Sequence, residues 1–412
     1  MIEVFGRIGC LSFGGPAAQI ALMHRVLVEE ERWIDEGDFS SALGFCMLLP
    51  GPEAMQLATY AGWRLRGIPG GLIAGGLFVL PGALVILALA AAYAAFGSVP
   101  AVAALFLGIK AAVLVIVIEA LLKLARRALP GPWHRAVALL SFAGLFFFAI
   151  PFPLVLLAGA IWGWWMSQGR ASTVERVATS ASARDTLAVL GVGGVLWAGP
   201  LIAIWAISGR AVLAELALFF SWLAVVTFGG AYAVLSYMAE AAVVDRGWLS
   251  PGAMIDGLGL AETTPGPLIL VTEFVGFMAG YAAGGLALAV LAAVVTLWAT
   301  FVPCFIWIFA GAPWIGGLAG MPRLAGAMDG IKAVVVGVIL NISVWFALHV
   351  LFAQVSAVEL GWARLWVPDP GTLDWRVPVL VALAWMMLVR LRFPLVATLI
   401  GCGLGGLALS AL

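Results

Sequence analysis

The segment Ser12–His24, SFGGPAAQIALMH, interrupts the first long apolar run of the chain with two glycines and a proline. A membrane helix normally avoids such a break, because lipid cannot replace the lost backbone hydrogen bonds. Broken backbone at membrane depth is tolerated only where it is buried in protein or lines a cavity. The segment therefore predicts a discontinuous membrane helix beside protein or a cavity.

The composition indicates a membrane protein. Of the 412 residues, 64% are hydrophobic and only 10% are charged. Soluble domains carry about 25% charged residues. Apolar runs long enough to cross a bilayer recur from end to end, which predicts an all-α polytopic membrane protein. Lys plus Arg and Asp plus Glu are balanced at 21 each, so the net charge argues against a nucleic-acid partner.

The sequence gives no sign of a metal site, a cofactor or catalytic residues. The four cysteines are far apart in apolar runs, and the three histidines are isolated. No pair has the spacing of metal ligands or of a disulfide framework. The run Gly401–Gly406 formally matches a dinucleotide-binding pattern, but no strand precedes it, and we interpret it as close helix packing.

The chain contains an internal repeat. Residues 13–52 align without a gap with residues 228–267, and 13 of the 40 aligned pairs are identical. The identities include a Gly-Gly pair and a Pro-Gly-Pro triplet, and the later strings GIKAAV and FPLV recur as GIKAVV and FPLV. Shared apolar composition alone would not align glycines, prolines, tryptophans and a lysine together.

Each half offers about six apolar segments, and one further segment, 187–208, has no partner. The predicted domains are a first repeat at 1–167, a linker with the unpaired membrane helix at 168–211, and a second repeat at 212–412. Residues 134–167 and 377–412 each form either two spans or a shorter hairpin, because their segments are near the lower length limit. The paired segments are 4–24, 40–62, 69–96, 101–122, 134–149 and 151–167, and then 212–239, 253–280, 284–311, 331–352, 377–391 and 393–412.

Charge predicts the orientation. If all six segments of the first half cross the membrane, one side holds nine basic and two acidic residues, whereas the loop 25–38 on the other side holds six acidic and two basic ones. The basic side should be cytoplasmic. Because the unpaired segment adds one crossing, the second half begins from the opposite side. The sequence thus predicts two inverted-topology repeats, which is the common plan of secondary transporters.

Four helix breaks are expected near the membrane midplane. In the first half, the Gly-Gly pair and the Pro-Gly-Pro triplet lie roughly 15–18 Å from the loop 25–38, at ~1.5 Å per helical residue. The second half repeats them from the other face. Glycine and proline let one half-helix end and another begin, and a half-helix N-terminus attracts anions. The alternative is that the breaks are kinks that serve close packing alone.

Charged residues inside the apolar runs extend this candidate site. Lys110 and Lys332 occupy equivalent repeat positions, from which they either attract an anion or reach the membrane surface as anchors. The candidates for ion coupling are Glu53, Glu119, Glu262 and Glu273. The candidate substrate-binding residues are Ser12, Phe13, Gly14, Gly15, Pro16, Gln19, Pro50, Gly51, Pro52, Glu53, Gln56, Lys110, Thr227, Phe228, Gly229, Gly230, Thr263, Thr264, Pro265, Gly266, Pro267 and Lys332.

Five strings of the sequence resemble a known family. SFGGPAAQIALMH, EERWID and CMLLPGPEAMQLATYAGW resemble the N-terminal half of the chromate ion transporter family, and VTFGGAYAVLSYM and AETTPGPLILVTEFVGF resemble its C-terminal half. The resemblance covers nearly the whole chain, as in the long, two-domain members. It implies a multi-pass protein of the bacterial inner membrane that exports chromate, confers chromate resistance and uses an ion gradient or antiport. It also implies sulfate as a structural analogue and competitor.

Two other functions stay open: a carrier of sulfate or another oxyanion, and an anion channel on the same scaffold. An intramembrane enzyme such as a chromate reductase is disfavoured by the scattered cysteines and the lack of a flavin or haem motif. No Walker motif is present, so ATP is not the expected direct energy source. The expected partners are the oxyanion and the lipid bilayer, and the existence of a homodimer is left open.

Overall fold

A computed structural model describes residues 1–167, 182–226, 228, 231–315 and 322–411. The helices of this described part are α1 (Ile2–Leu11), α2 (Gly15–His24), α3 (Glu36–Cys46), α4 (Glu53–Phe96), α5 (Pro100–Ala128), α6 (Pro132–Phe146), α7 (Phe152–Met166), α8 (Ala183–Ser208), α9 (Ala211–Val226), α10 (Ala231–Glu240), α11 (Pro251–Thr263), α12 (Val271–Gly311), α13 (Pro322–Leu351), α14 (Arg376–Trp385) and α15 (Leu395–Ser410). The strands are β1 (Val355–Leu360) and β2 (Ala363–Pro368).

Several of the helices are long and apolar enough to span a bilayer. By length and composition, the described residues contain five such helices, and shorter apolar helices accompany them at Phe152–Met166, Ala211–Val226 and Leu395–Ser410. The predicted class, an all-α polytopic membrane protein, is confirmed at this level. The five are Glu53–Phe96, Pro100–Ala128, Ala183–Ser208, Leu268–Trp314 and Pro322–Leu351.

The local structure repeats along the chain as the sequence does. In both halves a ten-residue helix, α2 or α10, runs into a wider turn in which a backbone N–H donates to the carbonyl five residues before it. The long helices α4 and α12 are each kinked at a glycine with positive φ, Gly67 at +64° and Gly285 at +76°. Helix α5 begins at Pro100 and α13 at Pro322, 222 residues later, and the same 222 residues separate the recurring strings GIKAAV at 108 and GIKAVV at 330.

The chain divides into two compact units, and each unit draws on both sequence halves. The first unit contains Met1–Ala91, Gln168–Val234 and Thr264–Ala325, and the second contains the remainder of the chain. In the first unit, α8 and α9 pack against α12. In the second unit, α11, α14 and α15 pack against α5. The sequence repeat and the packing therefore divide the chain differently.

Glycines set the closest helix contacts of the second unit. A Cβ on Gly108 of α5 would overlap the carbonyl oxygen of Cys402, and a Cβ on Gly406 of α15 would overlap that of Ala104. The two backbones thus touch where neither helix carries a side chain. This geometry confirms that the Gly-rich run 401–406 serves helix packing.

A short antiparallel hairpin, β1–β2, is an addition that the sequence analysis did not predict. Its register pairs Val355 with Pro368 and Leu360 with Ala363, around a turn in which Gly361 has a φ of +65°. The stretch lies between two apolar segments and is too short and polar to be a span. The sequence signal for a strand is weak here: Val355 and Val358 are β-branched residues that favour strands, but VSAVEL does not alternate strictly between apolar and polar residues.

Candidate substrate site at the helix breaks

The first helix break lies where the sequence predicts it. Helix α1 ends at Leu11 and α2 begins at Gly15, with Gly14 and Gly15 at φ values of +86° and +78° and Pro16 in the first turn of α2. Only glycine adopts such positive φ values without a steric cost. The break is therefore written into the local sequence, whereas its depth in a membrane stays a prediction.

This break contacts a break from the other half of the chain, inside the first unit. The backbone N–H of Gly266 donates to the carbonyl oxygen of Ser12 at 2.9 Å. The side chain of Gln19, which is 2% exposed, donates through Nε2 to the Gly266 carbonyl at 2.6 Å and to the Ser12 carbonyl at 3.3 Å. The Ser12 hydroxyl donates to the carbonyl of Ile8 at 2.7 Å. The freed backbone groups of two breaks thus satisfy one another.

The second break of this pair is enclosed by the backbone of α4. Gly266 has a φ of +89°, and a Cβ added there would lie 3.3 Å from the carbonyl oxygen of Phe78. A Cβ on Gly82 would overlap the carbonyl oxygen of Pro265. Pro265, Gly266 and their neighbours Thr264 and Pro267 are buried. The Pro-Gly-Pro triplet therefore lies directly against the backbone of α4, at a point where Gly82 carries no side chain.

The Pro50-Gly51-Pro52 triplet is stabilised by a hydrogen bond from the side chain of Gln56, in the first turns of α4. Gly51 has a φ of +123°, and Gln56 donates through Nε2 to the carbonyl of Pro50 at 2.7 Å. A Cβ on Gly51 would lie 2.8 Å from both Cys304 Sγ and Gln56 Nε2. Glu53 then begins α4, and its carboxylate makes no hydrogen bond or ion pair with the side chain of another described residue.

The described part of the first unit contains several buried polar side-chain atoms that have no hydrogen-bond partner. Within the described residues of the first unit, there are six such atoms: Gln19 Oε1, Gln56 Oε1, Glu273 Oε2, Thr300 Oγ1 and the indole Nε1 atoms of Trp197 and Trp307. Such atoms carry a desolvation cost of about 1–3 kcal/mol each and call for water, an ion or a proton. The Gln19, Gln56 and Glu273 oxygens are acceptors, which the oxygens of an anion cannot satisfy. They suit water or a transported proton better than the anion itself.

Part of the predicted site lies outside the described residues, namely Thr227, Gly229 and Gly230. Of the same break, Phe228 is half-buried, and its N–H donates to the Val226 carbonyl at 3.1 Å. Phe13 in the first break is 36% exposed. Thr263 donates its hydroxyl to the Leu260 carbonyl at 2.7 Å, which ties it to its own helix.

The two repeat-equivalent lysines have different surroundings. Lys110 on α5 lies 3.2 Å from the carboxylate of Asp256 on α11, and its side chain is 21% exposed. Lys332 on α13 is 45% exposed and pairs with Asp329 one turn away at 3.3 Å. Equal positions in the repeat therefore do not give equal surroundings. Lys110 is the lysine that reaches a buried carboxylate on another helix.

The predicted carboxylates also differ from one another. Glu119 pairs with Lys123 one turn along α5, in an arrangement typical of a helix surface. Glu262 and Glu273 are 4% and 1% exposed, so burial rather than sequence position distinguishes them from Glu119.

The sequence analysis missed Asp256 and Tyr93. Asp256 is 4% exposed and accepts a hydrogen bond from the Tyr93 hydroxyl at 2.8 Å, on the same oxygen that faces Lys110. The available signal was a lone aspartate inside the apolar segment 253–280. An ionisable residue in such a position is a functional candidate by default.

A small open pocket in the second unit was also missed. It lies between α10, α13 and β2, and its lining includes Glu240, Asn341 and Arg364. Arg364 pairs with Glu240 at 2.5 Å and lies over the Trp366 ring at 5.1 Å, while its Nε is buried without a partner among the described residues. The hairpin brings Arg364 to this place, and no periodicity in the sequence indicates it.

Comparison with known proteins decides the family. A profile described as chromate transporter matches residues 1–164 and 214–407. This chain belongs to the chromate transporter family. The unmatched stretch between the two matches contains the predicted linker and α8.

Curated members of the chromate transporter family align with most of the chain. A chromate transport protein of Pseudomonas aeruginosa is 33% identical over 341 residues, which cover 81% of this chain and 77% of that protein. A chromate transport protein of Cupriavidus metallidurans is 30% identical over 348 residues, which cover 82% and 80%. No solved structure matches the chain. Membership and the apolar helices together indicate a multi-pass membrane transport protein, not an enzyme.

Proposed function

We propose that this protein is a secondary active transporter that exports chromate across the bacterial inner membrane and thereby confers chromate resistance. The chromate transporter family and the names of its curated members support the substrate. The observation that carries a transport mechanism is the junction of Ser12 with Gly266, where broken backbone from both halves meets. Such breaks at a repeat interface form the substrate sites of many secondary transporters.

The junction is a closed state of the site. The Gly266 N–H and the Gln19 amide are engaged with carbonyls, so they are not available to an anion while the contact holds. An oxyanion that competes for these donors opens the junction, because each N–H bonds either a carbonyl of Ser12 or Gly266 or the anion. A site of backbone and amide donors recognises the shape and charge of a tetrahedral dianion. It discriminates weakly between chromate and sulfate, which share both.

The remaining parts of the proposal follow the repeat. The two repeats have inverted topology, with domains at 1–167 and 212–412 and a linker at 168–211, and the local structural repeat supports this division. Lys110 attracts the anion, whereas the half-exposed Lys332 is an anchor at the membrane surface. Glu53 and Glu273 are the carboxylates best suited to ion coupling, since one lacks a partner and the other is buried. Thr227, Gly229 and Gly230, which lie outside the described residues, are kept as candidate substrate-binding residues because the sequence repeat aligns Gly229 and Gly230 with Gly14 and Gly15.

Transport assays in proteoliposomes test the function. Labelled chromate and labelled sulfate are offered under an imposed pH gradient, an imposed sulfate gradient and a membrane potential. We expect saturable chromate transport that sulfate inhibits and that at least one gradient drives uphill. Sulfate transport without chromate transport would favour the oxyanion-carrier alternative. Flux that never saturates and never runs uphill would indicate a channel.

Single cysteines test the inverted topology. The native exposed thiol of Cys10 is first replaced, and single cysteines are then placed in the loop 25–38 or in its counterpart at 241–250. An impermeant thiol reagent should label the first loop from the periplasm and the second from the cytoplasm. Labelling of both loops from the same side would exclude inverted repeats.

A further inference from the structure

Three side chains from three helices converge in the second unit. Tyr93 near the end of α4 donates its hydroxyl to Asp256 Oδ2 at 2.8 Å, and Lys110 Nζ on α5 lies 3.2 Å from the same oxygen. Asp256 itself is on α11. The other oxygen, Oδ1, is buried and has no hydrogen-bond partner among the described residues.

The surrounding packing holds this cluster together and leaves the lysine reachable. The side chain of Asp256 is 5% exposed, whereas that of Lys110 is 21% exposed. A Cβ on Gly252 would lie 3.3 Å from Lys110 Nζ, so the glycine leaves room for the ammonium group. Gly259 lets α11 approach α5, because a Cβ there would lie 2.6 Å from Ile109 Cγ2. An anion can therefore approach Lys110 but not Asp256.

Electrostatics couples the two residues. A buried carboxylate is stable when it is paired, and removal of its partner charge leaves an uncompensated ion that costs several kcal/mol. An oxyanion that binds Lys110 competes with Asp256 for the ammonium group. The carboxylate then lowers its energy by taking a proton, since a neutral acid is far easier to bury than an ion.

We propose that Asp256 is the proton-linked partner of Lys110: an oxyanion displaces the carboxylate from the ammonium group, and Asp256 takes up one proton on Oδ1. The proposal rests on the proposed function, because it assumes that the chain binds an oxyanion. The ammonium group keeps its three protons, the proton comes from solvent, and no bond other than the new O–H forms. The Tyr93 hydroxyl stays on Oδ2 and holds the carboxyl group in place.

Few other charged groups act on Asp256. Of the helices packed on α11, α5 contributes Lys110, and α15 contains no charged residue and one titratable group, the buried Cys402 thiol. Tyr93 is the group from α4. On α11 itself the only other ionisable side chain is Glu262, six residues away and therefore on a different face of the helix. The pair and its tyrosine thus form a nearly isolated titrating unit.

Sulfate binding to the purified full-length protein tests this, because sulfate stays a dianion over the working pH range whereas chromate itself takes up a proton. Calorimetry in buffers of different ionisation enthalpy gives the number of protons taken up per anion. We expect one proton per sulfate, and an affinity that rises roughly tenfold for each unit of falling pH while Asp256 is ionised in the free protein. A wild type that binds sulfate with no proton uptake and no pH dependence would overturn the proposal.

Variants locate the effect. Asp256→Asn mimics the protonated acid and frees Lys110, so it should bind sulfate tightly with no pH dependence and no proton uptake. Lys110→Gln should bind weakly at every pH. Lys123→Gln is the matched control on α5, since Lys123 is 72% exposed and pairs with Glu119, and it should keep the wild-type slope. An Asp256→Asn protein that retains the proton uptake would refute the assignment.

Tyr93→Phe covers the case in which Asp256→Asn does not fold. It removes a hydrogen bond that is stronger to the ionised carboxylate than to the neutral acid, so the pH dependence should move to higher pH with the same slope. An unchanged profile in Tyr93→Phe would contradict the assignment. Failure of the wild type to bind or transport any oxyanion would instead refute the proposed function itself.

Discussion

The backbone N–H of Gly266 donates to the carbonyl of Ser12 across 254 residues of sequence, and it does so at 2.9 Å. Both groups are orphans of broken helices. In lipid such groups need a partner within the protein, and here each break supplies the partner of the other. The pairing stabilises the junction through a defined set of hydrogen bonds, which the proposed oxyanion would have to replace.

The amide of Gln19 is expected to be essential to this junction. Gln19→Glu keeps the size of the side chain but replaces the donor Nε2 with an oxygen, so the Gly266 and Ser12 carbonyls face a repelling atom. We expect a loss of about 1–3 kcal/mol in the free energy of unfolding and loss of chromate transport. Thermal unfolding in detergent and proteoliposome transport measure the two effects.

The control for this change is Gln354→Glu, at an exposed glutamine. It should leave both stability and transport as in the wild type. Equal melting temperatures for Gln19→Glu and Gln354→Glu would show that the junction does not depend on the amide.

Gly51 should tolerate alanine less well than Gly67. Both have positive φ, at +123° and +64°, so alanine costs backbone strain of about 1 kcal/mol or more at either position. At Gly51 the added methyl also meets Cys304 and Gln56, whereas at Gly67 it meets nothing within 4 Å. Gly51→Ala should therefore lower the melting temperature further and abolish transport. A Gly51→Ala protein as stable as Gly67→Ala would contradict the packing described here.

Gly75 and Gly76 on α4 allow a matched test of helix packing, because the first is in close contact with other residues and the second is not. A Cβ on Gly75 would overlap the Thr59 hydroxyl and lie 2.6 Å from Phe305 Cε1, whereas a Cβ on Gly76 meets nothing within 4 Å. Gly75→Ala should destabilise the protein by about 1–3 kcal/mol through overpacking. Gly76→Ala should be neutral or stabilising by up to ~1 kcal/mol, because alanine favours helix. Thermal unfolding of the two variants in the same detergent gives the comparison, and equal effects would argue against the contact.

Glu240 and Arg364 should depend on each other for stability. Arg364→Met leaves the part-buried Glu240 carboxylate without its partner, so we expect a clear drop in melting temperature. Glu240→Gln in the same protein removes the unpaired charge and should recover part of the loss. A double-mutant cycle on thermal unfolding measures the coupling between the two side chains. Additive effects of the two substitutions would mean that the pair contributes no coupling.

Much of this architecture could be predicted from local signals. Apolar runs predicted an all-α membrane protein. The glycines and prolines at 14–16 and 50–52 predicted the positions of two helix breaks, because a positive φ or a missing backbone N–H interrupts a helix within a single turn. Five strings of the sequence carried the family resemblance, and the internal repeat predicted the equivalence of Lys110 with Lys332. Their equivalent repeat positions did not predict the different surroundings of the two lysines, since the neighbours of a side chain come from other helices.

The sequence by itself determined where the chain breaks, which segments are apolar enough for a membrane, and which family the protein belongs to. Tertiary structure alone decided what each break touches: Ser12 meets Gly266, and Gly51 meets Cys304. It also decided that Lys110 pairs with Asp256 and that Arg364 reaches Glu240 from a hairpin. The physical reason is distance along the chain. Backbone conformation is set by a residue and its immediate neighbours, whereas hydrogen bonds and ion pairs between helices depend on register and approach, which only the packed fold fixes.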